Sequence, residues 1–241
     1  MDPLSAQRIL SGLGEGDLVV DLGAWARPLP RADFVIDAMP YESRGTLGKV
    51  HEGVERFTPA SWIRRDLCAR EPYPFPDKHF DFAICSHVLE DVRDPVFVCS
   101  EMSRIAKRGY VETPSRLVEQ TRGVESNAYC GYCHHRWYVE LENSRLIFTM
   151  KSDWPMQSWR LHLPKRALGS KSEADRVLAF FWDGQLEARE RLLITSPEIE
   201  AYLEEFVRHV GAYSTFRYTA HDFLRRAKAS LKRQLGAQLP R

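Results

Sequence analysis

The first half of the chain alternates short apolar runs with stretches of helical spacing, the pattern of a parallel sheet with crossover connections. Asp17–Leu22 (DLVVDL) predicts a buried strand ending in Asp21, with Gly23 just beyond it. Asp33–Asp37 (DFVID) predicts a second strand that again closes on an acid. Trp62–Leu67 (WIRRDL) predicts a third, Phe80–Cys85 (FDFAIC) a fourth and Gly109–Thr113 (GYVET) a fifth. Between the last two, Val98, Met102 and Ile105 recur near helical spacing, Asp94-Pro95 suits a helix start, and Gly109 after Lys107-Arg108 suits its stop. Arg136–Met150 carries two aromatic and β-branched runs around Glu142-Asn143-Ser144, which predicts a hairpin. From about Lys171 onward the chain reads helical. Ser196-Pro197-Glu198 opens one helix, whose face of Ile199, Tyr202, Leu203, Phe206, Val207 and Val210 is stopped by Gly211.

This order implies an α/β protein with a doubly wound, mostly parallel sheet. Ligands of such sheets bind beyond the carboxyl ends of the strands, so the residues that follow each strand are the candidates for chemistry. At the first strand end, Gly23 stands where a tight turn needs a residue without a side chain, while Trp25 and Arg27 stand where further glycines would extend that turn. Asp37, at the second strand end, is either an acceptor for ligand hydroxyls or a solvated loop acid.

Composition narrows the setting. Across 241 residues, 44% are hydrophobic and 28% charged, ordinary values for a globular protein. No apolar run approaches the roughly 18 residues of a membrane span, and Met1–Ser5 lacks the basic flank and apolar core of a signal peptide. Five cysteines, an odd count, argue against a disulfide framework and for a reducing compartment, so the cytoplasm is expected. A net charge of +1 makes nucleic acid an unexpected partner, although Arg217–Arg241 is locally basic. Within it His221–Leu239 predicts an amphipathic helix that docks on the core in preference to a membrane surface or RNA. A homodimer is compatible with these features.

One long ordered run is more specific. Asp66-Leu67, then YPFPDKHFDFAICSHVLEDVRDP (Tyr73–Pro95) and GYVETPS (Gly109–Ser115), resembles the class I S-adenosylmethionine-dependent methyltransferases, in particular the type 11-like group. The resemblance covers about residues 17–115 well, the 136–151 hairpin more loosely, and the C-terminal part not at all. It implies a seven-stranded Rossmann-like methyltransferase sheet in a core spanning 1–153, with 154–241 as a helical C-terminal lid or substrate region packed on it. It implies S-adenosyl-L-methionine as cofactor, with S-adenosyl-L-homocysteine as product. Asp21, Gly23, Ala24 and Trp25 would follow the first turn. Asp37 and Ala38 would meet the ribose, Asp66 the adenine amino group with Leu67 on the ring, and Ser86 and His87 the methionine moiety. Leu89-Glu90 would begin the next helix.

For the chemistry itself, His87, Glu112 and His135 are the catalytic candidates. His87 reads as a general base or polar wall, or else as a structural histidine that orients loops. Glu112 reads as a substrate ligand or as a cap of the following turn. Asp91 stands where the family usually has a second histidine, and with His134, Arg136 and Trp137 it is assigned to substrate. The expected activity is transfer of a methyl group to a nitrogen or oxygen nucleophile of a small molecule, mainly by positioning and desolvation. The alternative is a non-catalytic binding or scaffold protein on the same fold, suggested by the missing glycines. A nicotinamide enzyme would need a G-x-G-x-x-G turn that the chain lacks. Cys130-x-x-Cys133-His134 matches a haem-attachment pattern, set aside for want of an export signal. Cys130, Cys133 and His135 offer zinc three ligands without a clear fourth, so no metal is expected. With only about sixteen residues before the first strand, the lid is expected from Trp154 onward, where Trp154, Trp159, Phe180, Phe181 and Trp182 line a pocket or form a second core.

Overall fold

In the computed structural model, which describes residues 1–45, 54–169 and 171–211, Asp2 caps the first helix, α1 (Pro3–Gly12). Its side chain accepts from the Ser5 amide at 2.9 Å, and the proline at the first position has no N–H to leave unpaired. There follow the strands β1 (Val19–Leu22), β2 (Phe34–Asp37), β3 (Trp62–Arg64) and β4 (Phe80–Ser86). Helix α2 (Pro95–Ile105), capped by Asp94, leads without a loop into β5 (Ala106–Pro114). The short α3 (Arg116–Glu119), β6 (Trp137–Glu142), β7 (Arg145–Met150), β8 (Val177–Asp183), β9 (Glu187–Arg191) and α4 (Ser196–Val210) complete the chain order.

The central sheet runs β3-β2-β1-β4-β5-β8. Its first five strands are parallel and β8 closes the edge antiparallel to β5. Parallel strands are apolar on both faces because both are covered, and β1 is buried at every position. On one face Val20, Leu22, Ala83, Cys85 and Val111 pack with Val98, Met102 and Ile105 of α2. On the other, Val19, Val35, Ile84 and Tyr110 pack with Ile9 of α1. The hairpin β6–β7 with β9 forms a second, three-stranded sheet, whose Trp137, Val139, Leu146 and Phe148 join the layer around α2. Helix α4 seats Leu203 against Tyr138 and Leu161, and Val207 against Leu117, Leu163 and Leu168. No helix among the described residues is long and apolar enough to cross a membrane.

The five parallel strands, α2, the hairpin and the start, face and stop of α4 stand where the pattern predicts them. Asn143 and Ser144 turn the hairpin at φ 49° and 62°, the left-handed pair its tight turn requires. Other expectations change. The hairpin does not add to the central sheet, which has six strands among the described residues; β8 takes the antiparallel edge instead. The stretch from Lys171 is therefore not wholly helical, since it supplies β8 and β9 before α4. The proposed boundary after residue 153 thus falls between two parts that share one sheet. Gly109 does not end α2 but lies inside β5, where an added Cβ would run into the Ala83 carbonyl and the Trp182 ring. Leu89-Glu90 forms a turn, and the helix starts only at Pro95, where Asp94 can cap it. Phe180, Phe181 and Trp182 belong to β8 and pack into the two layers of the central sheet rather than forming a second core, and Phe181 and Trp182 also line a cavity beside α1. The expected helix His221–Leu239 lies outside the described residues.

Candidate functional site

Strands β4 and β5 pair in a register that sets Ser86 opposite Glu112 at their carboxyl ends. Glu112 has no solvent exposure. Its carboxylate accepts from the Tyr110 hydroxyl at 2.5 Å, the Ser86 hydroxyl at 3.2 Å and the Asp2 amide at 2.9 Å. The imidazole of His87 lies with Nε2 2.9 Å from Glu112 and Nδ1 3.5 Å from the buried Glu90. His87 adopts φ 56°, a conformation unusual outside glycine, and its amide donates to the Glu112 carbonyl at 2.8 Å, which fixes the ring over the strand end. Burial would raise the Glu112 carboxyl, but His87, Tyr110 and the Asp2 amide outweigh it and bring it down to about 2. Burial disfavours charge on His87, yet Glu112 in hydrogen-bond reach and Glu90 3.5 Å away raise it to about 9.

A second cluster adjoins the first. Glu119 on α3 is fully buried, and its carboxylate binds His135 Nδ1 at 2.7 Å and the ammonium of Lys151. Nε2 of His135 points toward Asp91, 3.8 Å away, and the His134 ring stands edge-on to His135 with centroids 4.4 Å apart. His87, Glu112, His134 and His135 line one cavity of about 450 Å³, walled by Pro3 and by Arg176 and Val177 of the later segment. The catalytic candidates of the sequence therefore share one cavity. A neighbouring cavity of about 450 Å³ is lined by His134, His135, Arg136 and Trp137. Trp137 is nonetheless mainly a core residue, its indole N–H donating to the Val92 carbonyl at 2.8 Å. Cys130, Cys133 and His135 do not come together as a ligand set among the described residues. Buried Cys130 contacts Met156, and its thiol is pushed up to about 12 by burial.

The residues expected to hold the cofactor lie at the ends of adjacent strands, with different degrees of freedom. Asp21 is buried and accepts from the Leu29 amide at 2.8 Å, so it braces the loop to β2; burial lifts it to about 7. Gly23, at φ 68°, leaves no space for a Cβ because Val88 packs against it. Ala24 and Trp25 continue that turn, the Trp25 amide donating to Asp37 at 2.9 Å and its indole to Ser43. Asp37 also accepts from the Met39 amide at 2.7 Å, and burial holds its carboxyl above the usual range. Each oxygen of Asp37 keeps a second lone pair, and Ala38 beside it is exposed. Asp66, half exposed, accepts from Cys68 and pairs with Arg93 at 2.6 Å; burial opposes its charge, but these partners win and its carboxyl is lowered. Leu67 is buried next to it. Asp37 and the half-exposed Asp66 beside Leu67 are acceptors of the kind an adenosine-bearing group would need, and Ser86 and His87 stand at the end of β4 nearby.

Sequence reasoning missed Glu119, Lys151, Tyr110 and Glu90. An acid directly after Leu117-Val118 was the available signal for Glu119, because an acid buried inside an apolar run needs a partner. That signal does not say which partner.

Residues 48–111 match the family described as a methyltransferase domain, somewhat over a quarter of the chain. Strands β3 and β4, Asp66, Ser86 and His87 fall inside the match. The matched residues carry β3, β4, α2 and most of β5 of the sheet ordered β3-β2-β1-β4-β5-β8, so the chain is similar to a methyltransferase domain over the central part of its α/β fold. Among solved structures, the chain is similar to an S-adenosylmethionine-dependent methyltransferase from Thermotoga maritima, with 20% identity over 47% of this chain and 52% of that one, at a TM-score of 0.29. One from Aquifex aeolicus has 21% identity over 47% and 69%, at 0.31, and one from Mesorhizobium loti 16% over 61% and 64%, at 0.33. The chain spans about half the length of several solved structures that it matches. No curated protein matches it.

Proposed function

We propose that the chain is an active S-adenosylmethionine-dependent methyltransferase acting on a nitrogen or oxygen nucleophile of a small molecule bound in the cavity beside His87 and Glu112. The observation that carries this reading is the coincidence of the methyltransferase-domain match with the strand ends that bear Asp66 and Ser86-His87. When bound, the cofactor supplies a methyl group already activated on a sulfonium, so alignment and exclusion of water are what the protein adds. Asp37 would hold the ribose hydroxyls, Asp66 the adenine amino group over Leu67, and Ser86 the amino-acid end. His87, raised to about 9, carries its proton at neutral pH and so serves as a hydrogen-bond donor and polar wall rather than as a base. Glu112, near 2, is too weak a base to deprotonate an acceptor; it holds His87 in place. A neutral amine, or an oxygen acid already ionised, suits such a pocket. The segment from residue 154 onward contributes Arg176 and Val177 to the cavity wall, in keeping with a lid role shared with Pro3.

Calorimetric titration with S-adenosyl-L-homocysteine tests the reading. Binding in the micromolar range is expected. No heat at millimolar ligand would leave the non-catalytic binding or scaffold role in its place.

A further inference from the structure

Next to buried Glu119 stands a set of side chains whose geometry is not needed for placing a cofactor. Asp91, His134 and His135 bring one ligand atom each within 4.8 Å of one another. The Oδ1 atom of Asp91 is buried and accepts no hydrogen bond, the nearest partner being His135 Nε2 at 3.8 Å. His135 is oriented from behind: its Nδ1 is bound at 2.7 Å by the fully buried Glu119, itself anchored by Lys151, so Nε2 is the nitrogen left facing Asp91. A carboxylate behind an imidazole whose other nitrogen faces further donors is how metal-binding histidines are held and made more basic. Around a tetrahedral ion with bonds of about 2.0–2.1 Å, ligand atoms stand about 3.3–3.4 Å apart. The 3.8 Å between His135 and Asp91 is close to that, and the ligand atom of exposed His134 lies within 4.8 Å of both. Two imidazoles and one carboxylate leave coordination open, as catalytic rather than closed structural sites do.

We infer that Asp91, His134 and His135 form a binding site for a divalent transition-metal ion, zinc or an ion of similar ligand preference, beside the cavity that His134 and His135 line together with His87 and Glu112. The sequence alone predicts no metal because it sets His135 with Cys130 and Cys133; here His135 stands instead with Asp91 and His134, which the sequence assigns to the substrate. A second grouping, Glu125, Cys133 and His134, shares His134 but is exposed throughout and has no buried carboxylate behind a histidine.

The test uses the full chain, stripped with a chelator and titrated with zinc chloride by calorimetry, with elemental analysis after dialysis. One equivalent is expected, bound at micromolar concentration or tighter. Asp91→Asn should weaken it at least tenfold. Glu119→Gln, which removes only the orienting charge, should weaken it about ten- to a hundredfold. Cys133→Ser should leave it unchanged. Far-UV circular dichroism and the melting temperature establish that each variant is folded. No binding to the native chain at about 100 times micromolar zinc overturns the inference and leaves His135 as a structural contact between Glu119 and Asp91. Binding lost in Cys133→Ser but retained in Asp91→Asn overturns it in favour of the exposed grouping. The readout needs neither cofactor nor methyl acceptor, so its failure is separate from a failure of the methyltransferase reading.

Discussion

At the tip of β5 the Glu112 carboxylate sees no solvent, and its charge is held by Tyr110, Ser86, His87 and the Asp2 amide. The His87–Glu112 pair ties stability to pH from both sides. Glu112 is depressed from 4.5 to about 2, so its contribution is present above about 4.5 and is lost as pH falls through about 2. His87 is raised from 6.5 to about 9, so its contribution is complete below about 6.5 and is lost as pH rises through about 9. The pair is therefore fully effective between about pH 4.5 and 6.5. His87→Gln should lower the melting temperature most in that window and scarcely at all above pH 10. Because the His87 side chain is 42% exposed, solvent screening discounts the effect to on the order of 1–2 kcal/mol. A pH-independent difference would sink the assignment. For Asp37, replacement by alanine should weaken S-adenosyl-L-homocysteine binding about ten- to a hundredfold, the worth of a charge-assisted bond of about 1.5–3 kcal/mol. It should also cost stability, since the Trp25 and Met39 amides lose their acceptor. Unchanged affinity with lowered stability would restrict Asp37 to bracing the loop.

Among elements, β5 is the one whose packing tolerates least. Gly109 abuts the Ala83 carbonyl of the neighbouring strand on one side and the Trp182 ring of β8 on the other. A strand carbonyl within a paired sheet has no room to retreat, so Gly109→Ala should cost about 1–3 kcal/mol as overpacking, read as a lower melting temperature. An unchanged melting point would mean that β8 can slide away from β5. The same pair shows where sequence was and was not sufficient. β1, β2, β4 and β5 were legible because each is a short apolar run bounded by acids, prolines or glycines, and the β6–β7 hairpin because its alternating runs flank a turn sequence. β8 (VLAFFWD) is equally apolar, but its identity as an edge strand comes from the open side of β5, a long-range partner that local pattern does not disclose. The site divides in the same way. His87, Glu112, Asp37 and Asp66 follow strands and were marked by position, whereas Glu119 owes its meaning to His135 and Lys151, 16 and 32 residues further on.

The whole molecule stands or falls on the segment after the β6–β7 hairpin. Seven register pairs, from Arg108 with Asp183 to Pro114 with Val177, join β8 to β5. Without β8, β5 becomes an edge that presents unpaired backbone groups and uncovers the apolar layer around Trp182, the arrangement that invites association between chains. Helix α4 goes deeper still. The carbonyl of Leu203 accepts from the fully buried Gln120 at 2.8 Å, and that of Tyr202 from Arg116 at 2.8 Å. Removing α4 leaves a buried guanidinium and a buried amide short of acceptors, each a cost of about 1–3 kcal/mol, besides exposing the partners of Leu203 and Val207. Those losses together are comparable with the net stability of a domain, about 5–15 kcal/mol. Residues 1–151 alone should therefore be insoluble, or should show no cooperative thermal transition by circular dichroism, and should not bind S-adenosyl-L-homocysteine. A soluble 1–151 fragment that unfolds cooperatively and binds it as the full chain does would show the later segment to be a separate module. The cavity wall at Arg176 and Val177 would then be dispensable for holding the cofactor.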